Sequence, residues 1–171
     1  MAPGVAAGLT MLAASLTASL TWIIVAAEDA PDLLQASPSG AGVIRLAKLA
    51  AATMPALALM ALPVLWAVAH HWTTGVLMCF TVVAATCCTA LTGMWQGRPA
   101  SRGAFKSRGK SNWIGSILEL VGSFGWSCTA FVLIGAAGPG QSAYDARWAG
   151  ISLAVALLAL LLAWGTRRRT A

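Results

Sequence analysis

Glu119 is a carboxylate inside an apolar run, Trp113-Ile114-Gly115-Ser116-Ile117-Leu118-Glu119. Placing such a group in hydrocarbon costs a few kcal/mol on insertion scales, so the chemistry it points to is ion or proton binding. At a helical rise of 1.5 Å per residue it stands about 9 Å from Trp113, within reach of an interface or of a basic side chain in the preceding loop. Ser116, Ser123 and Ser127 share its helical face and Gly122 borders it, the composition of a helix-packing seam held by polar groups. His70 and His71 are adjacent, and neighbouring imidazoles on one chain cannot clasp an iron from two sides. They read as an interfacial turn. Cys79, Cys87, Cys88 and Cys128 all lie in apolar stretches as small packing residues. No Cys-x-x-Cys spacing is present, and Cys87 and Cys88 point to different faces of a helix, so neither a metal site nor a disulfide framework is expected.

No phosphate-cradling Gly-rich loop, no helical His pair with Glu and no nucleophile elbow occurs. The chain is therefore expected to have no catalytic residues and no cofactor. Any ATP hydrolysis it depends on would belong to a separate subunit.

A second cluster has the chemistry of a docking surface. In Glu28-Asp29-Ala30-Pro31-Asp32-Leu33-Leu34-Gln35-Ala36-Ser37-Pro38, acids beside a proline suit the positive N-terminus of a short helix, and Pro38 ends it. Leu33 and Leu34 supply an apolar contact. A negatively headed helix of this kind could bind a soluble partner or lie as a solvated turn at the interface. Farther on, Arg98, Arg102, Lys106 and Lys110 recur every four residues. Gly103 and Gly109 weaken a helix there and favour a lipid-facing basic loop.

The elements that must position these residues are set by composition. With 58% hydrophobic and 9% charged residues, the chain lies far from a soluble domain, in which about a quarter of residues are charged. Crossing a bilayer takes roughly 20 residues of helix, because each backbone polar group must be satisfied internally. Five such spans are predicted: Val5 to Ala27, Leu49 to Ala69, Thr74 to Met94, Trp113 to Ala137 and Trp148 to Trp164. The expected fold is an all-α polytopic membrane protein forming a single domain. An acidic segment, Glu28 to Lys48, joins the first two spans, and a basic loop, Trp95 to Asn112, joins the third and fourth. Pro55 and Pro63 fall inside the second span, where neighbouring helices can rescue the freed carbonyls.

Charge then orients the chain. With the N-terminus outside, ten of the eleven Lys and Arg fall on the cytoplasmic side and only Arg147 lies outside, as the retention of basic loops in the cytoplasm requires. The C-terminus is then cytoplasmic. The formal charge of +6 reads as anchoring on anionic lipid, with no nucleic-acid partner. Seven of the eight Trp fall near span ends, where amphipathic rings favour the headgroup layer; Trp126 is the exception, in mid-span. The first span carries no preceding Lys or Arg and is longer than the apolar part of a signal peptide, which argues against cleavage after Ala27.

The acidic run, followed by Arg45-Leu46-Ala47-Lys48 and a proline-containing span, resembles the membrane-spanning permeases of bacterial type 2 ATP-binding-cassette (ABC) exporters. Trp95-Gln96-Gly97-Arg98-Pro99, Arg102, Phe105, Arg108 and Glu119 are similar to the later inner loop and following span of some members. The resemblance covers the last five of the family's six spans and implies a fragment or truncated form. It departs in Ser39 to Val43, which holds no basic residue. The resemblance implies an inner-membrane exporter subunit that works as a homo- or hetero-dimer with a second permease protomer. An ATP-binding-cassette subunit would then dock on Glu28, Asp29, Asp32, Leu33 and Leu34. Two other readings rest on the residues alone: a non-transporting scaffold or accessory subunit of a larger complex, and an ion-coupled carrier centred on Glu119.

Overall fold

The computed structural model describes residues 2–26, 40–97, 113–137 and 146–167. They form five helices: α1 (Pro3–Ala26), α2 (Ala41–His70), α3 (Trp72–Gln96), α4 (Trp113–Ala136) and α5 (Ala146–Gly165). All five are long and apolar enough to cross a membrane. Helix α2 is longer at its start than hydropathy predicts. Its 30 residues span about 45 Å at 1.5 Å per residue, against a hydrocarbon core of about 30 Å. The turns holding Arg45 and Lys48 are therefore the part that projects into the interface. Pro55 and Pro63 are accommodated inside a continuous helix.

Helix α2 turns into α3 at His71, which is extended at φ −149°. His71 donates its N–H to the Ala67 carbonyl at 2.9 Å and accepts from the Gly75 N–H at 2.9 Å. Such a tight reversal leaves no space for a side chain on Gly75, since a Cβ there would collide with the backbone of Val68. The His70 ring closes the same corner, with Nδ1 2.9 Å from the Trp66 carbonyl.

Helices α1, α3 and α4 pack on one another, α2 packs on α1 and α3, and α5 packs chiefly on α4. The side chains are distributed inside out compared with a water-soluble bundle. The buried positions are dominated by Ala and Thr, including Ala13, Ala14, Ala56, Ala85, Ala156, Thr10, Thr17, Thr81 and Thr86, whereas Leu62, Leu65, Leu120, Phe124, Leu158 and Leu161 face outward. In water such an apolar exterior would drive aggregation. In lipid, where burying a leucine gains nothing, close approach of small residues is what holds helices together.

Most hydroxyls in the interior are satisfied locally. Thr10, Thr17 and Thr21 donate to the carbonyls of Ala6, Ala13 and Thr17 at 2.8–2.9 Å. Thr86 and Thr92 do likewise on α3. Each of these hydroxyls thus enters the bilayer without an unmet donor, and the Thr21 methyl faces Gly93 of α3.

Candidate functional site

Helices α1 and α3 run parallel: Thr21 meets Gly93, and one turn later Val25 meets Gly97. The C-terminal ends of α1, α3 and α5 and the N-terminal ends of α2 and α4 consequently share one end of the bundle. Of the described basic residues, Arg45, Lys48 and Arg167 belong to the helix ends on that side. Arg147 starts α5 at the other end. At the charged end the Arg167 guanidinium lies 4.6 Å from the Trp164 ring centroid, a cation–π contact suited to the headgroup layer.

Glu119 is half-buried and faces the junction of three helices. Its Oε1 lies 3.0 Å from the point a Cβ on Gly93 would occupy, and the Thr21 methyl lies 2.7 Å from the same point. Gly93 is thus the seat of the carboxyl group. One turn deeper, the hydroxyls of Ser123 and Thr89 stand 3.5 Å apart across α3 and α4. Glu119, Thr89 and Thr92 border a crevice closed by Gly122 and Ala159, with room for about one water. Toward the interface, Gln96 Nε2 donates to the Ala163 carbonyl at 3.1 Å and to Thr166 Oγ1 at 2.8 Å. That bridge ties the last turn of α3 to the last turn of α5.

Of the face named from the sequence, Ser123 and Ser127 are buried in the bundle, and Ser116 is exposed near the start of α4. Ser127 donates to the Ser123 carbonyl at 2.9 Å. Glu28, Asp29, Asp32, Leu33 and Leu34 lie outside the described residues, as does the basic run 98–112. Among the described residues no group of His, Cys, Asp or Glu could hold a metal ion. Cys88 packs against the cluster of Ala14, Ala85, Trp126 and Ala156, as a small core residue does, while Cys79 is exposed on the outer surface.

Sequence reasoning missed the partners of this end. Gly93 and Gln96 carry no local signal of their role, because each acts on a residue of another helix. The α4–α5 seam did leave a trace. Ala149, Ser152, Ala156, Ala159 and Ala163 recur at alternating steps of three and four, the spacing of a helix-packing stripe. Their counterparts on α4 descend by the matching steps of four and three: Ser152 bonds Thr129 at 2.9 Å, Ala156 abuts Gly125, and Ala159 touches Gly122.

An interior of small and locally satisfied residues, a lipid-like exterior and five spanning helices define a multi-pass membrane protein. Comparison with known protein families, with curated proteins and with solved structures finds no match to this chain.

Proposed function

We propose that this chain is a permease subunit of an ABC-type exporter in a bacterial inner membrane, driven by ATP hydrolysis in a separate subunit and paired with a second permease protomer. The observation that carries the reading is the position of α1. The acidic segment 28–39 follows it directly, and α1 packs against α2, α3 and α4. A partner pressing on that segment therefore acts on the helix with contacts to three of the other four. Much of its buried face is Ala and Thr, with Ala6 and Ala13 packed against Met60, Met78, Val82 and Ile134. The resemblance of the acidic run to the coupling element of type 2 exporters supplies the identity of the partner.

A second reading, a non-transporting scaffold subunit, is favoured by the hydroxyls. Thr10, Thr17, Thr21, Thr86 and Thr92 all donate to their own helices, which leaves little of a polar path through one bundle. In the permease reading the path runs between protomers. The two are separated by replacing Leu33 and Leu34 together with Ser. The spans should insert normally, while co-purification with an ATP-binding-cassette subunit weakens by about 2 kcal/mol if the pair concentrates the contact energy. Reconstituted vesicles should lose substrate-stimulated ATP hydrolysis in step. Unchanged binding and coupling would leave the scaffold reading in front.

A further inference from the structure

Thr89 departs from the pattern of the other buried threonines. Thr10, Thr17, Thr53, Thr86, Thr92 and Thr129 donate to carbonyls of their own helices at 2.8–3.0 Å. Among the described residues the Thr89 hydroxyl, on a side chain 3% exposed, meets only the hydroxyl of Ser123, 5% exposed, at 3.5 Å. That separation exceeds the roughly 2.5–3.0 Å of a good O–H···O bond. One of the two hydroxyls can donate to the other. The second proton then has no protein acceptor, at a depth where bulk water does not reach and an unmet donor is costly.

The crevice between α3, α4 and α5 gives such an acceptor a place. Thr89, Thr92 and Glu119 all line it, and the volume open there to the centre of a water molecule is about 10 Å³, close to what one water requires. A buried water also needs about two to four polar partners, and these side chains supply them in the right sense. It can accept from Thr89 and donate to a Glu119 oxygen and to Thr92 Oγ1, whose own proton is committed to the Cys88 carbonyl at 2.9 Å. Ser123 then donates to Thr89, and every hydroxyl proton of the group has an acceptor. A carboxylate offers about four acceptor sites, so the water adds to the other contacts of Glu119 and displaces none. A hard cation fits worse, because it takes about six or more oxygens and only three side chains bring oxygen to the crevice.

We propose that this crevice binds a single water molecule that links Thr89 to Glu119 and hydrates the carboxyl group within the span. The inference is independent of the exporter reading, since it uses neither the acidic segment nor a partner subunit. The test uses the full chain in nanodiscs, pulsed with X-rays that make hydroxyl radicals from water, with oxidation of each cysteine read by mass spectrometry. Radicals form where water is, so a buried water marks the side chains beside it. Cys88 lines the crevice, whereas Cys79 is exposed on the outer surface of the same helix. The two lie at comparable depth, about 12 and 10 Å from the nearer end of α3 at 1.5 Å per residue. Cys88 should be oxidised several-fold faster than Cys79. Ala159→Val, which fills the crevice, should bring Cys88 down to the rate of Cys79. Thr89→Val, which keeps the shape and removes the donor, should lower it as well and serves should the first variant fail to fold. Equal rates at Cys88 and Cys79 in the unaltered chain, or a Cys88 rate untouched by both variants, would overturn the proposal. So would a Cys88 rate that rises when sodium in the buffer is replaced by choline, which would place a cation in the crevice instead.

Discussion

A Cβ added to Gly125 would fall 3.0 Å from both the Cβ and the backbone nitrogen of Ala156. Helices α4 and α5 therefore meet backbone to backbone at this point, the approach that lets dispersion forces hold spanning helices together without a hydrophobic driving force. Gly125→Ala should force the pair apart by a few tenths of an ångström, and Gly125→Val by more, at about 1–3 kcal/mol. Gly122→Ala is the control, since its new methyl would meet only the Ala159 Cβ at 3.9 Å. Thermal unfolding of the detergent-solubilised protein should rank Gly125→Val least stable and leave Gly122→Ala at the wild-type value or slightly above it.

Trp126 is buried at mid-span, edge-on to Phe80 with ring centroids 6.1 Å apart. Its indole N–H reaches no oxygen acceptor, and the Cys88 sulfur, a weak acceptor, stands beside it. An unmet buried donor is a cost that deletion relieves. Trp126→Phe keeps the ring and removes the donor, so it should cost about 1 kcal/mol or less. Trp126→Ala should cost about 3–5 kcal/mol. A loss in Trp126→Phe well above 1 kcal/mol, measured by the same unfolding assay, would mean that the N–H is satisfied in the native protein.

The spans were legible in the sequence because the bilayer demands length and apolarity of each helix separately. Glu119 and Ser123 could be placed on one face for a similar reason, since that face follows from helical periodicity alone. What could not be read is the other side of each contact. Glu119 rests on Gly93, and Gln96 reaches Thr166, through relations between helices distant in sequence whose small residues look alike at every candidate register. Helix α2 begins ahead of the span read from hydropathy, which starts after Lys48, because the helix also includes the turns of Arg45 and Lys48. The acidic residues named for partner docking lie outside the described residues.

Topology has a direct check. Ten basic residues belong to the end of the bundle shared by the α1 and α3 C-termini or to segments attached there, and that end should face the cytoplasm. Cysteine introduced at Ser107 should react with a membrane-impermeant maleimide only in opened cells, while cysteine at Ser142 should react in intact cells. Labelling of Ser107 in intact cells would invert the orientation.

Glu119 separates the structural from the ion-coupled reading. Its carboxyl occupies space that exists only because residue 93 has no side chain: a Cβ there would lie 3.0 Å from Oε1 and 2.7 Å from the Thr21 methyl. Glu119→Gln preserves shape and hydrogen-bonding reach while removing charge. If the group serves packing, Glu119→Gln should leave assembly intact and any transport only modestly reduced. Gly93→Ala, which evicts the carboxyl and crowds Thr21, should be the worse substitution, by about 1–3 kcal/mol. Combining Gly93→Ala with Glu119→Ala should restore part of that loss, with a coupling of about 0.5–3 kcal/mol, as for residues in contact. The remainder belongs to Thr21, which still stands in the way. Strict additivity in this cycle would mean that Gly93 matters only to Thr21. Abolished transport in Glu119→Gln with normal assembly would make Glu119 an ion or proton site, and the bundle a carrier.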